Sequence, residues 1–404
     1  MPTRPAKPDE IDERQLRGWR MLRRFQGVLD RVQAGMAPTA RESHGLRRHQ
    51  AREYLSLFLL AMFNPVLSSM RGLCQASRLQ RVQEQCGSRG IGLSRFSEAQ
   101  QVFDPELIRR ALSDLVRESA EQLGAHHGGW PPGALQVIDS TVWKVVPRMQ
   151  WAQWRFQDVE QRAVRLNLKL RVADEAPVEA KVTMGKTSEV ASFRQMWRAG
   201  EIYLGDRGYG GDFKMLEEMV AAGCDFLVRV RAETVIHWQS QETLTAEERA
   251  AGLTEAGLAR LGYKKTKGPW RVVIVERAGG EKVVLIGSAC WAKMSALEIA
   301  EVYRHRWKIE MFFRWLKCLV PCRHWLAESE RGVTFQIYLT LVAALLLAET
   351  FGEKPNRRMM ELIQFFEMGY ASEEELYEGL IRAQREGRRK RELAAEKAAA
   401  KKLG

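Results

Sequence analysis

Leu135-Gln136-Val137-Ile138-Asp139-Ser140-Thr141-Val142-Trp143 is the stretch that decides the fold. Apolar and β-branched residues dominate it, which predicts a strand, and a single carboxylate, Asp139, interrupts it near the middle. An unpaired carboxylate is costly to bury, so Asp139 either bonds a neighbouring strand or loop or serves a site. Upstream, His126-His127-Gly128-Gly129-Trp130-Pro131-Pro132-Gly133 is a linker by its Gly and Pro content, and helical periodicity stops there. Downstream, residues 165–172 alternate Leu166, Leu168 and Leu170 against Asn167, Lys169 and Arg171, and residues 178–184 follow a turn at Ala176-Pro177. Three strands in succession without a helix between them predict an antiparallel meander.

Farther along, a helix near 190–197 and a short strand, Glu201-Ile202-Tyr203-Leu204, lead into Gly205-Asp206-Arg207-Gly208-Tyr209-Gly210. Asp206 thus stands at a glycine-lined strand exit where backbone can approach a ligand closely; a plain turn role is its alternative. A helix at 213–222 and a strand at 225–230 complete a mixed α/β unit. Between 231 and 287 the pattern changes. Residues 270–276 and 282–286 read as strands joined by a turn at Ala278-Gly279-Gly280, an insertion rather than another βα repeat.

A helix then begins near Ala296 and runs through Tyr303-Arg304-His305-Arg306-Trp307-Lys308-Ile309-Glu310-Met311-Phe312-Phe313-Arg314-Trp315-Leu316-Lys317. On one continuous helix, Tyr303, Arg306, Glu310 and Lys317 would fall within a stripe roughly 60° wide. A hydroxyl, a guanidinium, a carboxylate and an ammonium on one face suit a site that handles metal and phosphate. Salt bridges one turn apart on a solvated face are the simpler account of the helix taken alone. Asp139, Asp206 and Glu310 supply three carboxylates from three separate elements, the donor set that two-metal phosphoryl transfer requires.

The chain has 404 residues, of which 45% are hydrophobic and 28% charged, as in ordinary globular proteins. Its formal net charge of +13 is the footprint of a protein that binds nucleic acid or another polyanion. Arg17, Arg20, Arg23 and Arg24 recur at helical spacing beside Leu16, Trp19, Leu22 and Phe25, and Arg47, Arg48 and Arg52 follow. Helical periodicity continues to residue 120, with helix joints at 68–73 and 93–99, where Ser94 or Ser97 would cap and Arg95 would touch phosphate. Residues 335–383 are helical and amphipathic, and 385–404 read as a frayed basic helix. The opening residues lack the apolar segment of a signal peptide, and the apolar run at 338–348 is too short to span a bilayer. A cytoplasmic protein with no membrane partner is therefore expected. Six scattered cysteines suit reduced thiols, and Cys318, Cys322 and His324 lack a fourth ligand for structural zinc.

Tyr303-x2-Arg306-x3-Glu310-x6-Lys317 resembles the Y-R-E-K signature of bacterial insertion-sequence transposases of the IS-four type. Ile138-Asp139-Ser140-Thr141 and Gly205-Asp206-Arg207-Gly208-Tyr209 resemble the stretches that carry that family's two aspartates. The resemblance implies an α/β, RNase H-like mixed-sheet catalytic core with a mostly β insertion, flanked by helical N-terminal and C-terminal regions. It divides the chain into a basic helical DNA-binding region (1–128), a first core part (129–230), the insertion (231–292), a second core part with the Glu-bearing helix (293–350) and a helical C-terminal region (351–404). It further implies that Asp139, Asp206 and Glu310 form a catalytic and metal-binding triad for two magnesium ions, manganese being the alternative. Tyr303, Arg306 and Lys317 would contact DNA phosphates, joined by Arg207 and Trp270. The implied partners are terminal inverted-repeat DNA, target DNA and a second protomer in the DNA complex, with the protein on the bacterial nucleoid when bound. The implied chemistry is hydrolytic nicking of the element's ends followed by attack of the 3′-hydroxyl on target DNA. Relatives that pass through a hairpin stack a flipped base on a tryptophan just before the last insertion strand; here that place holds Lys282-Val283, leaving Trp270 and Trp291 as candidates with a core role as their alternative. Glu189 is either an added acid beside the cluster or a helix N-terminal charge. Two other functions compete: a catalytically silent DNA-binding derivative, and an RNase H-like metal-dependent nuclease without strand transfer.

Overall fold

The computed structural model describes residues 20–39, 42–43, 50–64, 66–122, 134–146, 148–156, 159–277, 279–319, 325–351 and 356–403. The linker at 126–133, Leu16, Arg17, Trp19, Arg47, Arg48, Cys322 and His324 lie outside them, as does Ala278 of the insertion turn. The chain divides into two compact units: residues 116–315, and residues 1–115 together with 316–404.

The second of these is helical. Its N-terminal part comprises α1 (Arg20–Ala34), α2 (Ala51–Phe63), α3 (Met70–Ala76), α4 (Gln80–Cys86), α5 (Leu93–Val102) and the start of α6 (Pro105–Gln122). Tyr54 of α2 is fully buried among the rings of Phe58, Phe96, Phe103 and Phe335. Ser69 caps α3 by accepting from the Gly72 N–H at 3.1 Å. Ser94 and Ser97 do not cap, however: α5 starts at Leu93 behind Gly92, which places both serines inside the helix.

The other unit is built on one sheet that starts from the meander. The strands are β1 (Leu135–Lys144), β2 (Gln153–Phe156), β3 (Val159–Arg171), β4 (Pro177–Met184), β5 (Ile202–Gly205), β6 (Asp225–Val230), β7 (Ile236–Gln241), β8 (Leu253–Leu261), β9 (Trp270–Glu276) and β10 (Lys282–Gly287). They run in the order β2-β3-β1-β5-β6-β10-β9-β8-β7, with β4 also on β3. β1 and β3 are antiparallel, with Asp139 opposite Leu168; β2 and β4 lie end to end along the far edge of β3. β5 joins β1 in parallel and β6 joins β5 in parallel, so the strand exits of the core point one way. Three antiparallel strands extended by two parallel ones make the RNase H-like arrangement. β10 then pairs with β6, so the insertion prolongs the core sheet.

The alternation in β3 suggests one apolar and one polar face, and both are buried. Lys169 has no exposed surface, its Nζ donating to Glu201 at 2.6 Å and to the Met196 carbonyl at 2.9 Å. Arg171 donates to Asp174 at 2.6 Å and to the Val116 carbonyl at 3.2 Å. Such full pairing makes burial of charge tolerable. The insertion also holds two strands, β7 and β8, that the sequence pattern did not resolve.

Among the described residues this unit also holds α7 (Glu189–Arg194), α8 (Arg207–Gly210), α9 (Phe213–Ala221), α10 (Ala246–Ala250), a 3-10 helix (Ala289–Lys293) and α11 (Ala296–Arg304), followed by most of α12 (Trp307–Leu319). The helix expected from 296 through 317 is therefore broken at His305-Arg306. There the backbone tightens to i→i−3 bonds, from His305 N–H to the Val302 carbonyl and from Arg306 N–H to the Tyr303 carbonyl, both at 3.0 Å. Side chains on either side anchor the two arms: the Tyr303 hydroxyl donates to the Gly205 carbonyl at 3.1 Å, and Lys308 Nζ to the Val172 carbonyl at 2.8 Å.

The remaining helices are α13 (Glu330–Phe351), α14 (Arg357–Glu367) and α15 (Glu373–Leu403). α13 exceeds the expected apolar run and is long enough to reach across a bilayer, yet 89% of its most apolar window is buried within the protein. The C-terminal basic stretch belongs to α15, which runs to Leu403.

Candidate active site

Asp139 and Asp206 are set by neighbouring parallel strands. Asp139 sits inside β1, half-buried, and its Oδ1 accepts from the Ser140 N–H at 2.7 Å. Asp206 follows β5 as the cap of α8, accepting from the Gly208 N–H at 2.8 Å. It therefore has a turn role as well as a place beside Asp139. One of the glycines around it is required by packing. A Cβ on Gly210 would come within 2.1 Å of the Arg229 carbonyl oxygen of β6.

Glu310 lies in the first turn of α12, where the helix dipole favours a carboxylate. Its Oε1 is paired with the guanidinium of Arg306, which occupies the break just before the helix. The salt bridge expected on a bland helix is thus present, but its guanidinium also acts on Asp139. Burial pushes the Asp139 carboxyl up to about 7; Glu189 and Asp206 add to the rise, while the Ser140 N–H and Arg306 oppose it. Charges from α7, the β5 exit and the α11–α12 turn converge on this one carboxyl.

Glu189 is the acid whose role the sequence left open. It begins α7 behind the cap Ser188, so it is a helix N-terminal charge, and it is also in the cluster. Its Oε1 accepts from the Tyr209 hydroxyl at 2.7 Å, and its Oε2 lies 3.4 Å from Arg165 Nη1. Arg165 in turn donates to the Ser140 hydroxyl at 2.7 Å and to the Gly185 carbonyl at 3.2 Å. Arg165 carried no signal in the sequence beyond a polar position on a strand, and Tyr209 stood only as the last residue of the stretch that resembles the family's second aspartate motif.

The other expected contact residues are more dispersed. Tyr303 is buried, with its hydroxyl on Gly205 and its pKa raised by burial to about 12. Arg207 is exposed at the start of α8. Lys317 is exposed in the last turn of α12 and belongs to the helical unit. Trp270 takes the core position that was its alternative: only 6% exposed, it packs edge-on against Phe213 and Phe226. Trp291 is likewise buried, its Nε1 donating to the Phe226 carbonyl at 2.8 Å. Each ring fills space between the sheet and its covering layer, where aromatic area is worth most.

The donor set around Asp139 is all oxygen, which suits a hard divalent cation, and its crowded negative charge is what such an ion would neutralise. Among the described residues no three His, Cys, Asp or Glu side chains stand together as a ready-made cage. The guanidinium of Arg306 occupies Glu310 instead.

The core is thus an RNase H-like sheet with Asp139 inside β1, Asp206 at the exit of the adjacent β5 and Glu310 on a later helix. A family model described as "Transposase DDE domain" matches residues 130–346, and the chain belongs to that family. It is 24% identical over 240 residues to a putative transposase, y4zB, of Sinorhizobium fredii, covering 58% of this chain and 65% of that one. It is 26% identical over 236 residues to a probable transposase for insertion sequence element IS5377 of Geobacillus stearothermophilus, covering 57% and 60% respectively. The matched region thus spans less than two thirds of either relative. A piggyBac transposase synaptic complex with hairpin DNA overlaps 93% of this chain and 80% of its own, at 12% identity and a TM-score of 0.43.

Proposed function

We propose that the chain is an active insertion-sequence transposase that binds terminal inverted repeats, nicks them by metal-dependent hydrolysis and joins the 3′-hydroxyl ends to target DNA. The support comes from the convergence on Asp139 of charges from Asp206, Glu189 and Arg306, whose guanidinium is paired with Glu310. In this reading Asp139, Asp206 and Glu310 hold magnesium or manganese, two ions by family resemblance, which when bound would supply Lewis acidity and an activated water. Glu310 takes up that role once Arg306 releases it. Arg306 is then free to meet a phosphate oxygen, a partner its planar guanidinium matches as well as it matches a carboxylate. Tyr303 holds Gly205 and thereby the turn that presents Asp206, so its contact with phosphate would require giving up that bond. Lys317 and Arg207, both exposed, contribute cationic contact to backbone phosphates, which position DNA without reading sequence. Two DNA ends require two protomers, assembled on DNA in the cytoplasm.

The test is purified protein with magnesium and the DNA that flanks its own gene. Nicks should appear at inverted repeats, and Glu310→Gln should retain end binding while nicking falls to background. No metal-dependent cleavage at any terminal sequence would refute the catalytic reading. Intact binding without cleavage by the unaltered protein would favour the catalytically silent DNA-binding alternative, which the closed Arg306–Glu310 pair also suits.

A further inference from the structure

Glu189 is hydrogen-bonded to two groups that belong to different parts of the acidic cluster. On one side its Oε1 takes the Tyr209 hydroxyl at 2.7 Å, three residues beyond Asp206 and within α8, the turn that Asp206 caps. On the other its Oε2 stands 3.4 Å from Arg165, whose Nη1 also donates at 2.7 Å to the Ser140 hydroxyl beside Asp139. Arg165 is anchored further by the Gly185 carbonyl at 3.2 Å, in the turn that leads to α7. A strand, a strand exit and a helix start are therefore joined through one carboxylate. Tyr209 is nearly enclosed at 3% exposure, its ring edge-on to Phe193, so its hydroxyl has little freedom to point elsewhere.

We infer that Glu189 is a positioning residue that fixes the spacing of Asp139 and Asp206 through Arg165 and Tyr209. The inference rests on the transposase reading for the identity of the two aspartates as cation ligands, and on the structure alone for the brace. The physical logic is that of any outer layer around a metal site: ligands held by hydrogen-bonded neighbours lose less freedom when the ion binds. Glu189 suits that task better than a ligand role because both of its oxygens are already engaged. It also explains an arrangement that would otherwise be unfavourable, an added negative charge beside two carboxylates. The charge of Arg165 offsets it locally, and the geometry it enforces is recovered when a cation binds.

The experiment measures two quantities on the full chain: Mn²⁺ binding to the DNA-free protein, followed by the EPR signal of free ion, and single-turnover nicking of end DNA. Glu189→Ala should weaken Mn²⁺ binding and slow nicking about 10–100-fold, the usual scale for outer-shell partners, with end-DNA affinity within about twofold. Tyr209→Phe removes one arm of the brace while leaving the ring packed, and should weaken Mn²⁺ binding less than Glu189→Ala does. The Glu189→Ala, Tyr209→Phe double variant should be no weaker than Glu189→Ala alone, because both act through one contact. If Glu189→Ala fails to fold, Glu189→Gln keeps an acceptor for Tyr209 and loses the Arg165 pair, so an intermediate loss of Mn²⁺ binding is expected. Mn²⁺ binding unchanged in every folded variant would overturn the inference, as would losses in the double variant equal to the product of the singles. A parent protein that binds Mn²⁺ but nicks nothing would count against the transposase reading, while the binding arm would still decide the brace.

Discussion

Asp139 bears the sharpest electrostatic conflict among the site's residues, and its consequence for stability has a definite sign. Its carboxyl is held near 7 against an ordinary 3.8, chiefly by burial and then by Glu189 and Asp206. The folded state therefore holds its proton more tightly than the unfolded state does. Below the unfolded value both states are protonated and the residue is neutral in its effect; as pH rises towards 7 the fold loses stability, and above 7 the loss is complete. In metal-free buffer, Asp139→Asn should raise stability by about 1–3 kcal/mol at pH 8, and the gain should vanish near pH 4. Urea unfolding at the two pH values checks this, and an equal gain at both would show that charge is not the cause. The positions of Asp139 inside a strand and Asp206 at a strand exit were legible in the sequence because a carboxylate is locally odd in each place, whereas grouping them with Glu310 came from resemblance to the family's motifs. Arg165 and Tyr209 were not legible. Their importance comes from which residues they touch across β3, α7 and α8, and no local pattern encodes that.

The break between α11 and α12 shows why element boundaries were harder to read than element types. No Gly or Pro marks His305-Arg306, and helix propensity alone would carry the helix through. Tertiary bonds on both flanks override it, from Tyr303 to Gly205 and from Lys308 to Val172. The break matters chemically, since it places Glu310 in a first helical turn and Arg306 outside the helix. The strands of the meander were legible through their period of two. The burial of the polar face of β3 was not, because Lys169 and Arg171 read as solvent-facing until their buried partners are known. Glycine gives the test that belongs to this scale. Gly210 closes α8 against β6, and the obstacle to a Cβ there is the Arg229 main-chain oxygen at 2.1 Å, which cannot rotate away. Gly210→Ala should therefore cost roughly 2–4 kcal/mol, in the range of severe overpacking, and displace Asp206 with its turn. Gly211→Ala one position later, where the nearest obstacle is at 3.9 Å, should be close to neutral. Thermal melts of the pair check the contrast, and equal losses would mean that the contact relaxes.

At the scale of the whole molecule, one unit is a continuous stretch while the other is assembled from both ends of the chain. The sequence exposed the apolar run that became α13 but gave no indication that its partners lie near the other end of the chain, because amphipathic periodicity shows which face is buried and not what buries it. Phe335 of α13 closes the aromatic cluster around Tyr54, and Arg24 of α1 pairs with Glu349 at the far end of the same helix. Ser329 and Gln100 are joined at 2.8 Å in the same unit. The sheet unit has its own apolar core, centred on residues such as Tyr203, Phe226, Val228 and Val272, none of which belongs to the helical unit. Two cores of this kind can lose stability separately. Phe335→Ala removes a fully buried ring and should cost about 3–5 kcal/mol by cavity formation and lost transfer energy. That loss should fall on the helical unit. Amide exchange in α1, α2, α5 and α13 should accelerate markedly, while β1, β3, β5 and β6 keep their protection and Mn²⁺ binding is retained. Equal acceleration in helices and strands would mean that the two units unfold as one cooperative body, and that the division seen in the contacts has no counterpart in the energetics.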